Sequence, residues 1–147
     1  MPIGAKFAVL HRAFRRELDA ALKEKDLTGV QFGVLRAIDR LERTADGEIS
    51  QRAVEEASHS SHPTMCEILK KLEKKGFVDI RPSRTDGRRK TVGLTDRARE
   101  LDRELFGVDE RTFARIACGL DEAQTEALGA MLDTMLSNIC GCGAKEE

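Results

Sequence analysis

The chain has no tryptophan and no tyrosine. Any ligand site must therefore be walled by phenylalanine and aliphatic side chains. No apolar stretch approaches the roughly 18 residues of a membrane span, so no membrane partner is expected. The N-terminus lacks the apolar core of a signal peptide, which implies a cytoplasmic protein. The sequence carries no internal repeat and no low-complexity segment. It holds no Ser-His-Asp arrangement, no phosphate loop and no H-E-x-x-H, so enzyme chemistry has little support. Nothing in it calls for a cofactor or sets out a closed metal site. What it does have is charge, 35% of its 147 residues against 40% hydrophobic, the balance of a soluble globular chain. That length fits one domain, or one with an oligomerisation extension.

The most informative stretch runs from Ile49 to Thr95. Ser50 is a good N-cap for a short helix over Gln51–Ala57, and Ser58-His59-Ser60 reads as a turn. Ser61 is a good N-cap for a second helix, with Pro63 in its first turn, where a missing N–H costs nothing. Met65, Ile68, Leu69 and Leu72 fall on one face of that helix. Gly76 fits a left-handed C′ position, from which Phe77 folds back toward Leu72 as in a Schellman motif. Two strands are then predicted, Phe77–Ser83 and Arg89–Leu94, from their period-two alternation. Asp86-Gly87 signals a tight hairpin turn, and Pro82 places its strand at an edge. Helix, turn, helix and hairpin make a winged helix.

Between His59 and Leu94 there are nine basic residues and four acidic ones, a charge of +5 in a chain whose formal charge is −1. A basic module on an acidic body is the electrostatic footprint of a nucleic-acid binder.

Four runs in this stretch make the pattern specific: S-Q-R-A-V-E-E-A, S-H-P-T-M, L-K-K-L-E-K-K-G-F-V and D-G-R-R-K-T-V-G-L-T. With them the segment resembles the DNA-binding core of the MarR family of bacterial transcription regulators. The family's Asp-x-Arg wing signature falls on Asp86 and Arg88. Leu27-Thr28 followed by Gln31 is also a recurring feature of the family at this place. One departure is visible: the turn holds His59 and Ser60, where the family often carries glycine and an aliphatic residue.

The flanks read as helices. Phe7, Leu10, Phe14, Leu18, Ala21 and Leu22 follow helical spacing. Thr28 and Gln31 form a capping box ahead of a second helix bearing Phe32, Leu35, Ile38 and Leu41, which breaks at Thr44–Gly47. After the wing, Thr95 caps a long helix with a stripe of Ala98, Leu101, Leu105 and Val108, continued by Phe113, Ile116 and Ala117. Gly107 suggests a bend in it. Asp121 and Gln124 repeat the capping box before a last helix with a wide apolar face, Leu128, Met131, Leu132, Met135, Leu136 and Ile139. The fold class expected is mainly α with a small β-hairpin wing. A winged helix-turn-helix region (28–95) lies between dimerisation helices (1–27 and 96–140), and a flexible tail ends the chain (141–147). The small wing domain cannot cover the terminal stripes, and a homodimer is the economical way to bury them. The resemblance implies the same dimer, a near-palindromic double-stranded-DNA operator read in successive major grooves about 34 Å apart, and a repressor released by a small-molecule or other effector.

The candidate DNA-binding residues are Ser60, Ser61, His62, Thr64, Lys70, Arg84, Asp86, Arg88 and Arg89. His62 and Thr64 are placed for base or phosphate contact at the helix N-terminus, Ser61 for capping as well, and Met65 for the core. Lys70, Lys71, Lys74 and Lys75 read mostly as solvated residues near a helix C-terminus, with weak phosphate attraction added. Arg88 is read as the wing-tip contact to minor groove or phosphate, with Asp86 shaping the turn and orienting arginines. His11 reads as a surface or half-buried residue ahead of a ligand-cleft role. Cys66 and Cys118 read as structural. Cys140 and Cys142 admit three readings: a zinc site completed by two copies, a redox sensor, or incidental thiols in a tail, the last favoured. The competing functions are therefore a thiol- or metal-responsive regulator and a winged-helix protein-interaction module.

Overall fold

Capping chemistry sets the boundaries of most helices. The computed structural model describes residues 1–142, with side chains through residue 139. The elements run α1 (Ile3–Glu24), α2 (Gly29–Thr44), α3 (Gln51–Ala57), α4 (His62–Lys74), β1 (Val78–Pro82), β2 (Lys90–Leu94), α5 (Asp96–Ile116) and α6 (Glu122–Cys142). Thr28 accepts from the Gln31 amide at 3.1 Å while Gln31 Oε1 accepts from the Thr28 amide at 3.2 Å, a complete capping box. Asp121 and Gln124 form the same box ahead of α6, at 2.8 and 3.0 Å. Ser50 Oγ accepts from the Ala53 amide at 3.1 Å, and Thr95 Oγ1 from the Ala98 amide at 3.3 Å. The chain forms two compact units, Met1–Glu110 and Arg111–Glu147.

Three helices of the first unit, α1, α3 and α4, end on one device. In α4, the Phe77 amide donates to Leu72 O at 3.0 Å and the Gly76 amide to Glu73 O at 2.9 Å, with Gly76 at φ +79°. This is the expected Schellman closure. The same pair of bonds ends α1, with Asp26 at φ 55°, and α3, with His59 at φ 48°. The helix-turn-helix corner is thus a Schellman turn in which a histidine holds the left-handed position.

The core of this unit joins α1 to α5 through the hairpin. Leu22, Ile38, Val54, Met65, Leu69, Leu72 and Val78 are almost wholly buried, and Val34, Leu35, Phe77, Val92, Leu101 and Leu105 extend the same cluster. Burying a side chain of this size contributes about 1.5–3 kcal/mol before chain entropy is counted. The sheet is antiparallel with Val78 opposite Leu94 and Pro82 opposite Lys90. Ser50 makes a further bridge to Thr91, and the Val92 amide donates to Ile49 O at 2.8 Å. β2 is therefore flanked on both sides, and β1, which holds Pro82, is the edge strand.

One expectation changes: each strand starts one residue later than predicted, and β1 also ends one residue earlier. The helix after the wing runs unbroken from Asp96 to Ile116. The apolar stripes of the terminal helices are left open in the chain. Ile3, Phe7 and Leu10 on α1 are 70%, 40% and 40% exposed. Met131, Met135, Leu136 and Ile139 on α6 are between 44% and 73% exposed.

Candidate nucleic-acid interface

The N-terminal turn of α4 is the outward tip of the helix-turn-helix. Ser61, His62 and Thr64 are exposed and Ser60 is half-buried, whereas Met65 faces the core with no exposed surface, as its periodicity requires. Ser61 stands at the N-cap, but its side chain does not cap the helix. Its hydroxyl is instead 2.9 Å from that of Thr64. This leaves first-turn amides of α4 without a side-chain partner from the cap, directed outward with the positive end of the helix dipole.

His62 is tied on both ring nitrogens. Nδ1 lies 2.6 Å from Glu55 Oε1 on α3, and Nε2 lies 3.5 Å from Cys66 Sγ one turn along α4. Gln51 Nε2 donates to Glu55 Oε1 and to Cys66 Sγ, each at 3.0 Å. Burial raises the Glu55 carboxyl, but hydrogen bonds from Gln51 and His62, and the charges of His62 and Arg52, outweigh it and hold the group below its ordinary range. Cys66 is half-buried rather than a core filler, and Cys118 is exposed rather than structural. The readings of Cys140 and Cys142 concern side chains outside those described. Among the described residues, no group of three or more metal-binding side chains is gathered.

The wing differs from the tight turn that Asp86-Gly87 suggests. The strands close at Ser83 and Arg89, where the Ser83 amide donates to Arg89 O at 2.8 Å. A seven-residue loop results, and its tip is a turn in which the Arg89 amide donates to Asp86 O at 2.9 Å. Asp86 opens this turn and Gly87 has no positive φ, so the glycine's freedom is not used. Asp86 Oδ1 accepts the Arg88 amide at 3.1 Å, and Oδ2 sits 3.5 Å from Arg89 Nε. Asp86 therefore shapes the turn as expected, but the guanidinium it orients is that of Arg89. Arg84, Arg88, Arg89 and Lys90 are all exposed.

Glu48, which sequence reasoning passed over, anchors this loop. Its carboxylate accepts the Ser83 hydroxyl at 2.7 Å and the Arg84 amide at 3.1 and 3.2 Å. The hydrogen bond from Ser83, then that from the Arg84 amide, hold its carboxyl below the ordinary 4.5, against a smaller opposing effect of burial. No periodic pattern flags a lone glutamate before a strand-like pair. Its role follows only from the pairing of Ser50 with Thr91, which brings the two loops together.

At the other end of α4 the lysines separate. Lys70 and Lys74 are exposed, and Lys71 pairs with Glu67 at 2.7 Å. Lys75 turns inward instead, donating to Asp26 O and to Gln31 Oε1 at 3.3 Å. It fastens α4 to the turn between α1 and α2. His11 is exposed on α1. Part of the candidate site comes together: His62, Arg88 and Arg89 line one open cleft between α3, α4 and the wing, with Arg52, Cys66 and Lys90, whereas Ser60, Ser61, Thr64, Lys70, Arg84 and Asp86 lie outside its lining.

Residues 25–89 match the model of the MarR family. Among solved structures, the chain is similar to Staphylococcus aureus MepR in complex with DNA, at 23% identity and a TM-score of 0.71, covering 90% of this chain and 96% of that one. It is also similar to MepR described as a transcription regulator of the multidrug efflux pump MepA, at 22% identity and a TM-score of 0.74, covering 95% and 99%. A third likeness is to MepR bound to ethidium bromide, at 22% identity and 0.66, covering 95% and 97%. These likenesses carry the fold over the length of the chain, and the match to the MarR family covers residues 25–89, from α2 through β1 and the loop that follows it.

Proposed function

We propose that the protein is a homodimeric transcriptional regulator that binds double-stranded DNA at a near-palindromic site and represses until an effector releases it. The observation that carries the DNA-binding part is the shared cleft: His62 at the start of α4 and the wing cations Arg88, Arg89 and Lys90 open onto the same space. A helix N-terminus with exposed hydroxyls suits base edges and phosphate, and a cationic loop beside it suits the backbone or minor groove. Ser60, Ser61, His62 and Thr64 are assigned to the helix contacts. Lys70 is assigned to phosphate, and Arg84, Arg88 and Arg89 to the wing contacts that Asp86 shapes.

The dimer is supported by the open apolar faces of α1 and α6, where Ile3, Phe7 and Leu10, and Met131, Met135, Leu136 and Ile139, stand exposed, and a second copy is the economical cover for them. Residues 1–27 and 96–140 are assigned to it. Sedimentation equilibrium giving a stable folded monomer at micromolar concentration overturns this assignment. The effector is supported by a cleft of about 460 Å³ walled by Phe32, Leu35 and Leu101 and edged by Arg36 and Arg99, within the size range of small-molecule sites. The basic wing weighs against a pure protein-interaction module. Selection of bound sequences from random duplex DNA tests the function as a whole, with a two-fold-related consensus as the expected result. Failure to enrich any sequence contradicts it.

A further inference from the structure

Of the candidate contacts on α4, only His62 changes charge near neutral pH. Its ring joins a sheltered carboxylate to open solvent. Nδ1 lies 2.6 Å from Glu55 Oε1; the Glu55 side chain is 14% exposed and the imidazole 72%. Burial works against the Glu55 charge, and hydrogen bonds from Gln51 and His62 outweigh it. An ionised carboxylate only accepts, so Nδ1 carries a proton. A second proton, on Nε2, makes the ring a cation. That nitrogen faces Cys66 Sγ at 3.5 Å, and sulfur is a weak acceptor. The Nε2–H bond is therefore left for a stronger acceptor arriving from outside.

Two sets of charges compete over that second proton. On α3, Glu55 favours the imidazolium and Arg52 opposes it. From the wing, Arg88, Arg89 and Lys90 line the same cleft and oppose it too. Arg52 is offset by Glu56 at 3.1 Å, and Arg89 by Asp86 at 3.5 Å. On α4 itself the neighbour is the Cys66 thiol. A phosphate backbone laid in the cleft neutralises these cations and adds negative charge of its own, which moves the balance toward the imidazolium.

We propose that His62 meets DNA as an imidazolium, positioned and stabilised by Glu55, so that each subunit takes up a proton on binding. This rests on the DNA-binding reading above. The acceptor is an unprotonated atom of the DNA, either a phosphate oxygen or guanine N7 or O6 in the major groove. The complex holds the proton more tightly than the free protein does. Affinity is therefore greatest below both pKa values, falls as pH rises through them, and is level above them. Each proton taken up steepens that fall by up to about tenfold per pH unit.

The experiment measures affinity for a selected duplex between about pH 5 and 8 at fixed ionic strength. Calorimetry in two buffers of different ionisation enthalpy counts the protons, and thermal melting checks the fold of each variant. The unaltered chain should lose roughly tenfold or more in affinity across that range and take up between about one and two protons per dimer. His62→Gln should give a flat profile and no uptake. Glu55→Gln keeps an oxygen facing Nδ1 and loses the charge, so the fall should move to lower pH. A flat profile for the unaltered chain, or a fall that survives in His62→Gln, overturns the proposal while DNA binding stands. A Glu55→Gln profile that overlays the original removes Glu55 from its role. A chain that binds no duplex at any pH refutes the proposal together with the DNA reading. Uptake on the selected duplex alone supports the guanine acceptor, and equal uptake on a scrambled duplex supports phosphate.

Discussion

Replacing His59 by glycine should stabilise the protein. His59 holds φ 48° at the C′ position of α3, where its own amide donates to Glu56 O at 3.2 Å and the next amide to Glu55 O at 3.0 Å. A side chain in the left-handed region costs roughly 1–2 kcal/mol, because Cβ crowds the following carbonyl oxygen. Glycine removes that crowding but adds roughly 0.4–1 kcal/mol of unfolded-chain entropy. The imidazole is exposed, so little packing is lost. The difference leaves a net gain of about 0.5–1 kcal/mol, which at this chain length raises Tm by roughly 2–3 °C. Urea titrations give the midpoint and its slope, and an unchanged slope shows that the denatured state has not altered. A lower midpoint for His59→Gly would refute the reasoning. It would mean that the imidazole contributes something the geometry does not display. The companion change, Gly76→Ala, runs the other way. It puts a Cβ on a residue at φ +79° with Arg97 3.7 Å away, and should cost about 1 kcal/mol or more.

Three further outcomes are expected. Arg88→Ala should lower affinity on specific and random DNA alike and shrink the salt slope by about two units, if each wing of a dimer loses one phosphate contact worth roughly 0.9. An unchanged slope in a folded variant would remove the wing from the interface. Thr64→Ala should do the reverse, with little change in slope and a loss of discrimination between sites, measured by competition with scrambled duplex. Glu48→Ala should free the wing, speeding hydrogen exchange at the Arg84 amide and weakening DNA binding several-fold with only a small loss of Tm. Because the folded-state carboxyl of Glu48 is held below 4.5, its anchoring is fully present above that value and fades only as pH falls through the lower, folded-state one. Exchange at Arg84 that is unaffected by the substitution would contradict this.

The parts of the fold that were legible in the sequence are those set by local chemistry. Both capping boxes, the Ser50 cap, the Gly76 ending and the burial of Met65 follow from neighbours three to five residues away, and periodicity reports them. The misjudged residues answer to distant partners. Lys75 looks like a solvated helix-end lysine until α4 is seen to pack its last turn on the loop holding Asp26. Cys66 looks like a small core residue because its helical position borders the apolar face, yet Gln51 and His62 draw its sulfur to the cleft. Asp86-Gly87 carries the strongest short-range hairpin signal, but the Glu48 carboxylate holds Ser83 and Arg84 so that the loop closes earlier and wider. The glycine is then spent on an ordinary turn position. His59 shows the opposite case: the sequence marks a turn, and only the backbone angle reveals the left-handed conformation that a histidine must hold there.

The most direct test of the central claim is a salt titration of the unmodified protein on a selected duplex and on its scrambled counterpart. The cationic wing and the open N-terminus of α4, doubled in a dimer, should give a log–log slope of −4 or steeper, at roughly −0.9 per phosphate contact. The selected duplex should be preferred by roughly a thousandfold or more at every salt concentration. A slope near zero, or equal affinity for the two duplexes, would contradict the reading of α4 and the wing as a sequence-specific DNA-binding face.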